Sequence, residues 1–430
     1  MRFASRCAYS HRPSPAFLPM KVFQRPDLDP LFHGSALRRP AVARAVIAAL
    51  LLMLAVATAM SLLTMAGMGR EGTGVFLRAL AASGLLSLIP LAIIAWLDRR
   101  ERESPWLFAV AFLWGGVIAA WLSMPLNTLI LLHVEQWVAA TPGMTELLGG
   151  DAPLMLGAPL AAPLVEETIK GLGVVALFFL LRAEFDNMRD GFVYGALVGA
   201  GFTWVESALY IAQGFVEHGE APWALQLGAR YALFGMAGHV LFSGLFGAFL
   251  GLARQARPRP IAWLAPFAGL ALAFTAHAAN NALPLVGALM LRAAGEPPPA
   301  AGEPPPAASF IDAWLSASVL DLIVFLPFVL LLGLLIVRSG RWEQRVIRDE
   351  LADEREPYVL PEEREAIAND GLFQTRRIDA LHRRDSKRLV YLQHELAFRK
   401  RRVRDRGGDP ERDPLVVLRR VQIRALRVPG

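Results

Sequence analysis

Eight ionisable side chains fall in stretches that are otherwise apolar: Arg78, Glu166, Glu167, Lys170, Glu206, His239, His277 and Asp321. Charge in hydrocarbon is costly, so each needs a partner or a function. Lys170 is four residues after Glu166 and three after Glu167, within reach of either on a helix. The two glutamates are about 100° apart around the axis and cannot point the same way. One would be held ionised by the ammonium, leaving the other to face the histidines. That arrangement suits general-base activation of water, with histidine or a metal stabilising the negative charge that develops. Arg78 lies near a helix end and can snorkel to the surface.

The elements that must carry these groups follow from composition. The chain has 430 residues, of which 54% are hydrophobic and 19% charged. Its mean hydropathy is +0.39. These values exclude an ordinary soluble enzyme, a disordered chain and a secreted disulfide scaffold. The single cysteine, Cys7, can form neither an internal disulfide nor a multi-thiolate zinc site. The reading is an all-α polytopic membrane protein. Eight segments are long and apolar enough to span: 45–68, 74–97, 105–132, 159–182, 190–215, 228–253, 261–290 and 310–337.

Basic residues in loops set the orientation, because Lys and Arg stay cytoplasmic. They lie at Arg38, Arg39 and Arg44, at Arg99, Arg100 and Arg102, at Arg182 and Arg189, at Arg254, Arg257 and Arg259, and at Arg338, Arg341 and Arg345. The alternate loops are poor in them. Both termini are therefore expected in the cytoplasm, with Trp96, Trp106, Trp263 and Trp342 at the inner boundary. Residues 1–44 read as a disordered cytoplasmic segment, with Met20 as an alternative start to Met1. Residues 45–337 form the membrane domain, in which 293–309 is a Pro/Ala-rich outer spacer. Residues 338–430 are a charged cytoplasmic tail holding 23 Lys/Arg and 17 Asp/Glu, with amphipathic helical patterns such as Arg376 to Arg402. The tail's arginines suit anionic lipid or acidic partners. No nucleic-acid motif is present.

On this topology Glu166, Glu206, His239 and His277 share one layer, roughly 10–20 Å below the outer boundary at helical rise. Asp321 falls in the same layer and reads as a supporting group. His239 shares a small-residue face with Gly235, Ser243, Gly247 and Gly251, while Gly191, Gly195 and Gly199 repeat on the preceding span. Such faces let helices approach closely. Asn281, one turn from His277, is placed to orient the imidazole or to share a ligand role.

Four stretches resemble the motifs of the PrsW family of intramembrane proteases, part of a superfamily that includes CAAX prenyl endopeptidases. Residues 162–172, APLVEETIKGL, resemble its EExxK motif. Residues 201–207, GFTWVES, resemble the second, with Ser207 where Asn is common. His239 in GHVLFSGLFG resembles the third, and His277 with Asn280 and Asn281 the fourth. The resemblance covers about 155–285. It implies hydrolysis of peptide bonds in membrane-associated proteins, with Glu166 or Glu167 activating water. His239 and His277 would bind a divalent metal such as zinc or stabilise the oxyanion, and Glu206 would complete the cluster and could join the metal ligands. Superfamily relatives have also been read as metal-free glutamate proteases. The family's best-known role, cleavage of a membrane-tethered anti-sigma factor, implies a multi-pass protein of the bacterial plasma (inner) membrane. A proton- or cation-coupled transporter is the alternative that the same cluster allows.

Overall fold

A computed structural model describes residues 35–99, 103–141, 143–182, 184–256, 258–296, 309–368 and 383–427. Cys7, Met20, residues 297–308 of the Pro/Ala-rich loop and the 376–382 end of the amphipathic tail segment lie outside the described residues. Among those described, all regular structure is helical. Helix α1 (Pro40–Leu97) is broken at Gly69, whose φ of 71° and ψ of −175° leave the helical region. The break lies between the two expected spans 45–68 and 74–97, and glycine tolerates it at no steric cost. α2 (Pro105–Leu113) continues through a wide turn at Trp114–Ala119 into α3 (Ala120–Ala139), and the short α4 (Met144–Leu148) follows. α5 (Ala152–Leu180) carries Glu166, Glu167 and Lys170, and α6 (Met188–His218) carries Glu206.

Six helical stretches among the described residues are long and apolar enough to cross a membrane: Pro40–Leu97, Pro105–Ala139, Met188–His218, Ala232–Gln255, Arg259–Asn281 and Phe310–Leu351. The chain is an integral membrane protein. α5 is not among the six because its charged triad interrupts an otherwise apolar helix of 29 residues.

Two expected spans are interrupted at the level of the site. The 228–253 segment is not one helix. α7 (Trp223–Arg230) ends in an irregular stretch containing Leu233 (φ 48°) and Phe234 (φ 61°), and α8 (His239–Gln255) starts afresh. His239 therefore opens a helix instead of lying eleven residues into one. The 261–290 segment divides into α9 (Arg259–Asn281) and α10 (Leu283–Ala293). Pro284, in the first turn of α10, has no N–H to continue the α9 ladder. Irregular backbone at membrane depth is tolerated where it is enclosed by protein or lines a cavity.

α6 is the central helix, buried on nearly all sides. It meets α8 backbone to backbone. A Cβ on Gly195 would lie 2.1 Å from the Ser243 carbonyl oxygen, and one on Gly199 would lie 2.1 Å from that of His239. The small-residue stripes read from the sequence are this contact, except for Gly235, which lies in the irregular stretch before α8 and faces Pro90 and Tyr231. A packed apolar cluster that includes Val174, Phe192, Leu197, Phe242, Leu245 and Phe246 surrounds the α6–α8 contact.

α11 (Phe310–Leu351) runs well past residue 337. Its last turns join α12 (Pro361–Ala368), α13 (Arg383–Asp405) and α14 (Pro414–Leu426) in a separate core that includes Ile347, Leu351, Leu392, Leu396, Phe398 and Val416. Many of the tail's basic groups are spent inside it. Lys400 Nζ donates to the Glu350 carbonyl and to Glu354, both at 2.6 Å, and Arg399 pairs with Asp413 at 2.5 Å. The core abuts the α5–α6 loop, where Arg402 pairs with Asp186. Arg189 pairs with Glu343 at 3.0 Å. Burial and the neighbouring Glu395 push the Glu184 carboxyl of this loop up to about 7, against a smaller opposing pull from Arg402.

Two expectations follow. Gly195→Ala forces α6 and α8 apart and should cost at least about 2 kcal/mol. Gly74→Ala, whose Cβ meets nothing within 4 Å, should be neutral. Thermal unfolding of detergent-solubilised protein compares them, and equal melting of the two variants would exclude the close contact. The folded protein prefers neutral Glu184, so stability is lost as pH rises from about 4.5 towards 7. The stability advantage of Glu184→Gln over the native chain should therefore grow across that window, by about 3 kcal/mol. Parallel curves would exclude it.

Candidate active site

Glu166, Glu167 and Lys170 come from α5, Glu206 from α6, His239 from the start of α8 and His277 from near the end of α9. All are buried or nearly so. The structure brings these side chains together, and the two glutamates divide the polar contacts unequally. Glu167 takes both the ammonium and the imidazole: its Oε1 is 2.6 Å from Lys170 Nζ and 3.0 Å from His277 Nδ1. Its Oε2 accepts from Ser243 Oγ at 2.9 Å. Glu166 is turned towards α3 and the cavity. Its Oε1 accepts from Asn127 Nδ2 at 3.0 Å, and its Oε2 is 3.5 Å from Lys170 and 3.9 Å from His277 Nε2. Glu167 thus accepts three hydrogen bonds, while Glu166 accepts two and borders the cavity.

The network also fixes the histidines. Lys170 Nζ lies 2.9 Å from His239 Nδ1, and an ammonium can only donate. His239 Nδ1 therefore accepts, and Nε2 carries the proton that it donates to Glu206 Oε2 at 2.6 Å. Glu206 in turn is held by Arg230 at 2.5 Å. For His277, donation of Nδ1–H to Glu167 leaves the Nε2 lone pair free. The imidazole ring centroids of His239 and His277 lie 4.9 Å apart with the rings nearly perpendicular, and Phe242 stacks on His277 at 5.0 Å. Lys170 also sits 4.0 Å over the Phe202 ring.

A cavity of about 540 Å³ opens in front of these groups, lined by Glu166, Glu206, Arg230, His239, His277, Asn281 and Asp321, among others. A second cavity of similar size, between α3 and α6, meets it at Asn127, Glu166, Glu206 and Tyr210. Asn281 borders the first cavity but does not orient His277. Its amide donates to the Ala158 carbonyl at 3.3 Å, and Glu167 does the orienting. Asp321 borders the same cavity from α11. Arg78 stays outside the site, exposed and bonded to the Gly74 carbonyl.

Glu166, His239 and His277 offer ligand atoms that all lie within 4.8 Å of one another. A carboxylate and two imidazoles are a donor set that suits zinc. By type and spacing these residues fit a divalent cation. Both ring nitrogens of His239 already have partners, so a cation there takes the place of Lys170 or Glu206. The expected set differs in one member: Glu206, committed to Arg230 and His239, stands outside it and Glu166 stands within. Two residues went unread in the sequence. Arg230 lies at the edge of the expected 228–253 span, where a basic residue looks like a boundary. Asn127 is uncharged, but an amide inside an apolar span was a signal that it has a partner. Its Oδ1 is buried without a hydrogen-bond partner, beside Glu166.

Residues 103–296 match the model of a family described as PrsW family intramembrane metalloprotease. Three relatives are each called Protease PrsW. That of Geobacillus kaustophilus is 34% identical over 121 residues, covering 28% of this chain and 47% of its own. That of Clostridioides difficile is 26% identical over 169 residues, covering 39% and 63%. That of Bacillus subtilis is 32% identical over 106 residues, covering 24% and 44%. The matched stretches span between 44% and 63% of these relatives' lengths. No solved structure matches the chain. The family resemblance read from the motifs is borne out.

The Arg230–Glu206 pair yields a prediction of its own. Arg230→Met leaves Glu206 with His239 alone and should lower stability by about 1–3 kcal/mol, less than for a fully enclosed pair because the pair borders the cavity. The double variant Arg230→Met/Glu206→Gln should recover part of the loss in thermal unfolding. Additive losses would mean that the pair is not coupled.

Proposed function

We propose that this chain, whose residues 103–296 match the PrsW family, is an intramembrane endopeptidase acting on membrane-associated polypeptides. The observation that carries this reading is the cavity-facing Glu166 carboxylate beside the free Nε2 of His277, with every other polar group of the cluster committed to holding these in place. Glu167, fixed by Lys170 and Ser243, orients His277. Glu206, fixed by Arg230, orients His239. Glu166 takes a proton from the attacking water as the new C–O bond forms and returns it to the departing amine as the C–N bond breaks. A divalent cation held by His239 and His277 beside Glu166 would acidify that water and polarise the scissile carbonyl. The meeting of two cavities at Glu166 gives an extended segment room to pass the reaction centre.

Counting α1 as two spans at its Gly69 break and α5 as one gives eight, with both termini cytoplasmic by the loop charges and the site in the outer half of the bilayer. The Arg99 guanidinium, 4.0 Å over the Trp96 ring, suits an inner-boundary anchor. We place the protein in the bacterial inner membrane, with regulated proteolysis of an anti-sigma factor as the target class that the resemblance implies. The helix breaks before His239 and after Asn281 are a feature that a transporter would share. The packed apolar cluster between the site and the cytoplasmic loops is what a transporter would have to open, and it favours the hydrolase.

The test compares the two glutamates. Glu166→Gln should lower cleavage of a membrane substrate by about 10²–10⁴-fold with little change in melting temperature. Glu167→Gln removes the counter-charge of Lys170 and the anchor of His277, so activity and melting temperature should fall together. His277→Ala should abolish cleavage and lower the zinc content of protein purified with zinc, measured by elemental analysis. Full activity of Glu166→Gln and His277→Ala would sink the hydrolase reading.

A further inference from the structure

Asp321 has no task in the chemistry above. It stands on α11, outside the residues that match the family. With Ala317 and Leu320 it presents one helix face to the cavity that also holds Glu166, His239 and His277. Its neighbours along the helix are Leu320, Leu322, Ile323 and Val324. Asp321 makes no hydrogen bond or ion pair with any described residue. Among the described residues the one arginine lining this cavity, Arg230, is spent on Glu206 and Gln226. A lone carboxyl at membrane depth costs several kcal/mol unless something pairs with it, and an apolar residue would fill this position at no such cost.

The cavity's charge balance says what the partner would be. Among the described residues, carboxyl groups line it at Asp151, Glu166, Glu206 and Asp321, against a single guanidinium. We propose that Asp321 is a specificity-determining residue that receives a lysine or arginine side chain of the substrate polypeptide, on the α11 side of the reaction centre. The pairing solves two problems at once. A basic side chain drawn below the membrane surface carries its own desolvation cost, and an ion pair with Asp321 offsets both. Binding would be strongest for a planar or ammonium donor making charge-assisted hydrogen bonds. The inference rests on the hydrolase reading and adds to it the chemistry of the preferred substrate.

The full-length protein in liposomes tests this with single-span reporter polypeptides. Each carries one lysine, moved position by position through a Leu/Ala span, and an all-apolar reporter is the reference. The native chain should show kcat/KM at least about 10-fold above the reference at one or two adjacent positions. In Asp321→Asn that ratio should fall to within about twofold of unity, whatever happens to the common rate. Asp321→Glu should keep the preference, and Asp321→Lys should favour glutamate at the same position. An unchanged ratio in Asp321→Asn, while the native chain cleaves, overturns this inference alone. So does a native chain with no preference for lysine anywhere. If the native chain cleaves no reporter, the hydrolase reading falls and this inference falls with it.

Discussion

Backbone contact between α6 and α8 sets the position of every polar group above it. With hydrogen in place of a side chain at positions 195 and 199, the two helices close until carbonyl oxygens of one touch the α-carbons of the other. This delivers His239, the first residue of α8, against the Glu206 face of α6. It also brings Ser243 to Glu167 on α5. Membrane helices gain little from burying apolar surface against one another, so close packing of small residues is the main force available. Here that force and the chemistry use the same helix face, one turn apart.

The electrostatics follow from the same closeness. Lys170 touches Glu167, Glu166 and His239 and is fully buried. In a region of low dielectric such a charge persists only if its neighbours are arranged before any ligand arrives. The carboxylates divide accordingly. Glu167 and Glu206 each have a cation of their own, whereas Glu166 has an amide at 3.0 Å and the ammonium only at 3.5 Å. Glu166 and Glu206 both border the cavities, but Glu166 is the less satisfied of the two, and unspent hydrogen-bonding capacity is what a base needs.

The polar layer and the small-residue faces were legible in the sequence, because charge in an apolar run and a four-residue repeat of glycine both have few causes. Which glutamate faces the cavity was not. Adjacency shows that the two diverge, but only the positions of Ser243 and Asn127 decide which way. The break before His239 was hidden for a different reason: Gly235, one of its positive-φ glycines with Gly238, reads equally well as a packing residue, and Leu233 and Phe234 are types that give no hint of positive φ. The Trp314 indole, donating to the Tyr231 carbonyl, and the Ser318 hydroxyl, accepting from the Leu233 amide, tie that stretch to α11. Contacts from a helix some 80 residues away cannot be read from local periodicity. The folded tail core was missed likewise, since its apolar positions are sparse in each helix and become a cluster only when α11 to α14 assemble.

The charged triad of α5 has a consequence for how the chain enters the bilayer. Two glutamates and a lysine near the middle of a helix carry an insertion cost of several kcal/mol on a translocon scale. Most of the partners that satisfy them, Ser243, His239 and His277, are made some 70–110 residues later. Lys170 travels with the helix, and its spacing from both glutamates lets the triad pair internally from the moment α5 forms. Asn127, already synthesised on α3, supplies an amide to Glu166. The order of residues along the chain thus gives the nascent helix interim partners during synthesis, and the histidines take their places once α8 and α9 have been made.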